Sequence, residues 1–161
     1  DDGLPGDAVD GLAFSPLAAL YEYARKDCGF TQVQAAVALW RIPRRLRRKG
    51  IDYTRYNLDT LRALFAAIHD GRMTFDGIGQ ALRLVAEGRW SPEAIQPRLE
   101  HSDLAPFITR AREEVLAGSI HDITQLRTLT LDRVMDAVRG RIPGADVAAE
   151  VDAVFAQEVQ A

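Results

Sequence analysis

The chain has 161 residues, 47% hydrophobic and 27% charged. That mix suits one globular domain or two small ones and excludes a disordered, collagenous or disulfide-built chain. No apolar run approaches the roughly 20 residues that span a bilayer. No secretory signal pattern is visible, and the single cysteine, Cys28, fits a reducing compartment. A soluble, cytoplasmic protein with no membrane partner is therefore expected. The net charge of −3 is unevenly spread. Residues 1–24 hold five acids and no base, residues 25–72 hold 11 bases and 4 acids, and residues 73–161 hold 9 bases and 14 acids. A mildly acidic whole thus contains a basic middle.

The chain opens on Asp1-Asp2 rather than Met, as expected of a processed product or a piece of a longer protein. Residues 1–14, rich in Gly and Asp, read as a linker or frayed terminus. Ser15-Pro16 is a helix start with proline at the first helical position. Leu17, Leu20, Tyr21 and Ala24 follow at i, i+3, i+4, i+7 on one face, and Gly29 ends that helix. Thr31 and Gln34 form a capping-box pattern, and Val33, Ala36, Val37 and Trp40 continue the stripe. Pro43 removes an N–H, so a break or kink is expected near Ile42. A short helical turn should then carry Arg44 to Lys49, with Gly50 as its stop.

Asn57 is placed to cap a helix whose stripe is Leu58, Leu61, Leu64, Phe65 and Ile68, with Asp70-Gly71 as the turn. Thr74 is expected to cap the next helix, with Ile78, Leu82 and Val85 buried. Ser91-Pro92-Glu93 repeats the Ser-Pro start, and a boundary near Gly88–Ser91 divides residues 15–90 from 91–161. Beyond it, Ser102 or Asp103 should start a helix carrying Leu104, Phe107, Ile108, Ala111 and Val115. Leu131, Val134, Met135 and Val138 mark another, and Val147, Val151, Val154 and Phe155 a last one after the Pro143-Gly144 turn. No stretch sustains period-2 alternation, so an all-α fold of two small helical bundles in tandem is predicted.

Chemistry-bearing patterns are scarce. His69, His101 and His121 are far apart and offer no ligand set with metal spacing. Cys28 sits at a helix end, where the local field opposes a thiolate. Gly77 and Gly79 lie inside a helical pattern with no preceding strand, which is not a dinucleotide fingerprint. Glu113 and Glu114 belong to a solvated face. No catalytic residue, metal ligand or cofactor is assigned.

The segment from Arg41 to Lys49 stands apart, with six cations in nine residues: Arg41, Arg44, Arg45, Arg47, Arg48 and Lys49. Clustered cations repel one another and a polyanion relieves that repulsion; arginine forks also match phosphate oxygens two at a time. Trp40, Tyr53 and Tyr56 flank the run, with Arg55 between the tyrosines, so stacking on unpaired bases is one expectation. The competing reading is that the cations stabilise a helix C-terminus and pair with acids elsewhere, with Trp40 and Leu46 in the core.

Two stretches carry a family resemblance. The first is Leu46, Arg47, Arg48, Lys49, Gly50, Ile51 and Asp52, followed by the helix from Leu61 to Gly71. The second is Leu131, Asp132, Arg133, Val134 and Met135, then Arg139-Gly140-Arg141 and Gly144 to Val147. In order and spacing they resemble the tail region of tRNA-dependent amidotransferase subunits, the GatB/GatE family with its YqeY-like C-terminus, the GatE type being the nearer. The likeness runs over about residues 15–158.

It implies a non-catalytic helical appendage that binds tRNA, Glu-tRNA(Gln) in particular. Kinase and transamidation chemistry, with ATP and Mg2+, would reside in other amidotransferase domains or subunits. On this likeness Arg139 and Arg141 join Arg41, Arg44, Arg45, Arg47, Arg48, Lys49 and Arg55 as candidate tRNA contacts. Two positions depart from the family pattern. Ser119 follows Gly118 where Lys is common, and Asp132 stands where Gly is common; an acid there weakens contact with phosphate. Two other classes are a helical protein–protein interaction module and a small helical enzyme or sensor using His69 or His121.

Overall fold

The computed structural model describes residues 11–12, 15–52, 57–118 and 122–159. Among them every regular element is helical, and the fold is an all-α helical bundle. The helices are α1 (Ala18–Lys26), α2 (Gln32–Ala36), α3 (Ile42–Arg48), α4 (Leu58–His69), α5 (Ile78–Ala86), α6 (Ala105–Leu116), α7 (Ile123–Val138) and α8 (Gly144–Val159). Two compact units result. One comprises the described residues up to Arg72 with Gly77–Ile95; the other comprises Met73–Asp76 with the described residues from Gln96 on.

In the first unit α1 packs on α2 and α4, while α5 packs on α3 and α4. The Thr31 hydroxyl accepts the Gln34 N–H at 3.1 Å and the Gln34 side chain accepts the Thr31 N–H at 2.8 Å, completing the capping box. Asn57 Oδ1 accepts the Asp59 N–H at 2.8 Å, which satisfies an orphan donor of α4. The α4 stripe buries Leu61, Leu64 and Phe65, but Leu58 remains 39% exposed. Leu58 sits in the first turn of the helix. The Phe65 ring meets Phe30 with centroids 5.1 Å apart.

Pro43 does not break the chain. Residues Val37–Arg41 form a π-helical turn, and the Ile42 N–H donates to the Val37 carbonyl five residues back. That wider turn relieves the clash between a proline ring and the carbonyl four residues before it. Helix therefore runs continuously from Gln32 to Arg48. Its stop is the expected one: Gly50 has φ of 77°, and the Ile51 N–H donates to the Leu46 carbonyl at 3.0 Å, a Schellman closure.

The second unit buries Leu104, Ile108, Val115, Val134, Val138, Val147, Val151 and Phe155 in one core. α7 packs on α6 and α8. It begins a full two turns before Leu131, at Ile123, because Asp122 Oδ1 accepts the Gln125 N–H at 2.7 Å. That Asx cap is legible at Asp122, although the following residues show a weak stripe.

Three start signals resolve differently from expectation. Ser91-Pro92 opens only a 3-10 turn, Pro92–Ala94, since Pro97 disfavours helix at the residue before it. Ser102 and Asp103 lie within a 3-10 turn, His101–Asp103, ahead of α6. Thr74 makes no side-chain cap; its N–H donates to the Gly140 carbonyl at 2.8 Å, and Asp76 accepts the Gly144 N–H at 2.8 Å. These bonds seat Met73–Asp76 in the second unit, so the division falls after Ile95 with this short segment exchanged.

Thr130 is 0% exposed in this second core, and its hydroxyl has no hydrogen-bond partner among the described residues. A buried hydroxyl without a partner costs about 1–3 kcal/mol. Thr130→Val keeps the shape and removes that cost. It is expected to raise stability by about 1 kcal/mol in urea denaturation, and a loss of stability instead would show that the hydroxyl is bonded.

Candidate nucleic-acid interface

The seven residues of α3 divide cleanly around the helix axis. At 3.6 residues per turn, Arg44, Arg45, Arg47 and Arg48 occupy an arc of about 160°, and Ile42, Pro43 and Leu46 the opposite arc. Burial follows this division. Pro43 and Leu46 are buried and Ile42 is half-buried, whereas the four arginines are exposed, as are Arg41 and Lys49 at the two ends. Leu46, 7% exposed, is a core residue that anchors the cationic face to the bundle.

Arg41, Arg45, Arg47, Arg48 and Lys49 form no ion pair among the described residues. Other arginines do. Glu114 receives Arg110 at 3.0 Å and Arg133 at 3.1 Å, Asp152 pairs with Arg127, and Glu87 takes both Arg83 and Arg89. The dipole at the α3 C-terminus favours Arg45, Arg47 and Arg48 by about 0.3–1 kcal/mol each. It cannot account for six cations in nine residues. Two unit charges about 6 Å apart in water repel by roughly 0.7 kcal/mol, and each added neighbour raises the sum. The face is therefore primed for an anion.

Trp40 is half-buried. The Arg44 guanidinium lies over its ring, 5.1 Å from the centroid, a cation–π contact set by the i, i+4 spacing. The backbone of Gly11 also lies against the six-membered ring, so close that a Cβ there would collide with it. Trp40 is thus engaged within the fold, and Arg44 is partly committed to it. Tyr53, Arg55 and Tyr56 lie outside the described residues.

Arg139 and Arg141 sit in the turn between α7 and α8, in the other unit. Arg139 is exposed and pairs with Asp136. Arg141 donates to the Pro97 carbonyl at 3.0 Å and covers the Phe107 ring at 5.9 Å. Its own carbonyl accepts the Leu99 N–H at 3.0 Å. Arg141 thereby clasps the 96–100 segment to the turn, a role with no local sequence signal. Asp132 is exposed on α7; Ser119 and His121 lie outside the described residues.

His69 Nδ1 lies 3.2 Å from the Cys28 carbonyl oxygen, and His101 Nε2 lies 3.6 Å from Asp146. Burial pushes the Cys28 thiol up, which outweighs the hydrogen bond with Tyr23. Among the described residues no group of three or more His, Cys, Asp or Glu could hold a metal ion. No helix there is long and apolar enough to cross a membrane. A groove in the second unit is lined by Ile108, Leu116 and Val154 with Arg112 and Glu150. Comparison of the chain with known protein families, characterised proteins and solved structures finds no match.

Proposed function

We propose that this chain is a non-catalytic RNA-binding helical module whose α3 face grips the phosphate backbone. The supporting observation is the exposed cationic arc of α3 together with Arg41 and Lys49 at its ends, where five of the six cations meet no acid among the described residues. Phosphate contacts of this kind orient a nucleic acid without reading its sequence. The motif resemblance extends the proposal to tRNA. On it, the chain holds Glu-tRNA(Gln) while other domains or subunits of a glutamine-dependent amidotransferase use ATP and Mg2+ on the acceptor end. Arg139 and Arg141 would make secondary contacts at most, because each already serves a partner in its own unit.

Binding of the intact chain to a tRNA transcript, followed across a salt series, tests this reading. Four or five phosphate contacts give a log–log slope of about −3 to −5. Absence of binding at low salt would overturn it. The second reading is docking of a protein through the groove that carries Leu116, which is 44% exposed; a partner held without regard to salt, with no RNA retained, would favour that reading.

A further inference from the structure

We infer that the α3 face takes a double-helical segment of RNA rather than an unpaired strand, an inference that rests on the RNA reading of that face. The geometry of the cations carries it. Arg44 and Arg48 form a ridge, and Arg45 and Arg47 project from opposite flanks, about 160° apart around the axis. A convex ridge with cations on both flanks meets two phosphate rows at once, one on each side of a groove. A single strand presents one row and leaves one flank idle.

Proteins that hold unpaired strands combine a cationic groove with aromatic platforms on which bases stack. Here the cationic surface is convex. Trp40, an aromatic residue beside it, already holds Gly11 and Arg44 against its ring. Double-stranded RNA is recognised by the alternative means, through shape and backbone contacts across a wide, shallow minor groove. A helix stripped of apolar and aromatic side chains on its outer face suits that task.

Fluorescence anisotropy of the full chain with two labelled probes separates the cases. One probe is a blunt RNA duplex of about 16 base pairs; the other is an unstructured RNA strand with the same number of phosphates. The duplex is expected to bind at least about tenfold more tightly, with a salt slope near −0.9 per contact against −0.7 for the strand. The variant Tyr53→Leu with Tyr56→Leu is expected to leave duplex affinity within about twofold, since bases do not stack in this mode. Equal or tighter binding of the unpaired strand, or a large loss in the tyrosine variant, would overturn the duplex inference while leaving α3 an RNA site. Failure of both probes to bind at low salt would instead remove the RNA reading itself.

Discussion

Replacing Arg45, Arg48 and Lys49 together with alanine is expected to weaken RNA binding by about 10²–10³-fold near 0.1 M salt. The estimate follows from counterion release. Each lost phosphate contact removes about 0.9 from the log–log salt slope, so three contacts remove roughly 2.7 and a similar number of decades at that concentration. The salt series therefore gives a second readout, a slope shallower by two to three, that a merely misfolded variant would not reproduce. The three side chains are exposed and meet no acid among the described residues, so the bundle should survive their loss. The unfolding midpoint should move little, by the dipole contribution of about 0.3–1 kcal/mol per charge. Arg44 is left in place because it covers Trp40. Replacing Arg45 and Arg48 with lysine instead should preserve most of the slope and lose part of the affinity, since an ammonium cannot reproduce the bidentate fork. Unchanged affinity and slope in the alanine variant would remove α3 as the binding face.

Phe65→Ala is expected to cost the first unit about 3–5 kcal/mol. Phe65 is fully buried, as are Leu61 and Leu64 on the same helix, and its ring lies 5.1 Å from that of Phe30. Removing the ring leaves a cavity in the core, so transfer and cavity costs add. Against a total stability of about 5–15 kcal/mol, that loss is large enough to leave the unit unfolded in mild urea. The measurement is direct, because both tryptophans, Trp40 and Trp90, belong to the first unit. Tryptophan fluorescence therefore reports that unit, and far-UV circular dichroism reports both. Phe65→Leu, which keeps most of the volume, should cost much less, near 1.5 kcal/mol. A Phe65→Ala protein with an unchanged tryptophan transition would show that this core does not support the unit.

The path from residues to helices was largely legible in the chain. Thr31 with Gln34 and Asn57 with Asp59 state their caps in sequence, because the partners lie two or three residues apart. The stripes through Leu61, Leu64 and Phe65 and through Val147, Val151 and Phe155 are periodic for the same local reason. Ser91-Pro92 and Thr74 show the limit of such signals. A start signal needs several residues free to continue, and at Thr74 a partner across the chain, the Gly140 carbonyl, takes the backbone elsewhere. Pro43 signals a break or kink because proline costs an intrahelical bond, yet a π turn one residue wider carries the helix past it.

By itself the sequence determined the all-α class, the main helix caps and stops, and the concentration of six cations between Arg41 and Lys49. These depend on neighbours within one or two turns, where spacing along the chain is spacing in space. Only the tertiary structure decided which cations remain available. Arg127 finds Asp152 and Arg133 finds Glu114 across helices, and Arg141 finds Pro97 and Phe107. Ion pairs form between charges brought within a few ångströms, and packing sets that approach. Around α3 the packing delivers Leu46 and Pro43 to the core and leaves Arg45, Arg47, Arg48 and Lys49 facing water. The same packing engaged Trp40 with Gly11 and Arg44, which makes it part of the scaffold that presents the charges.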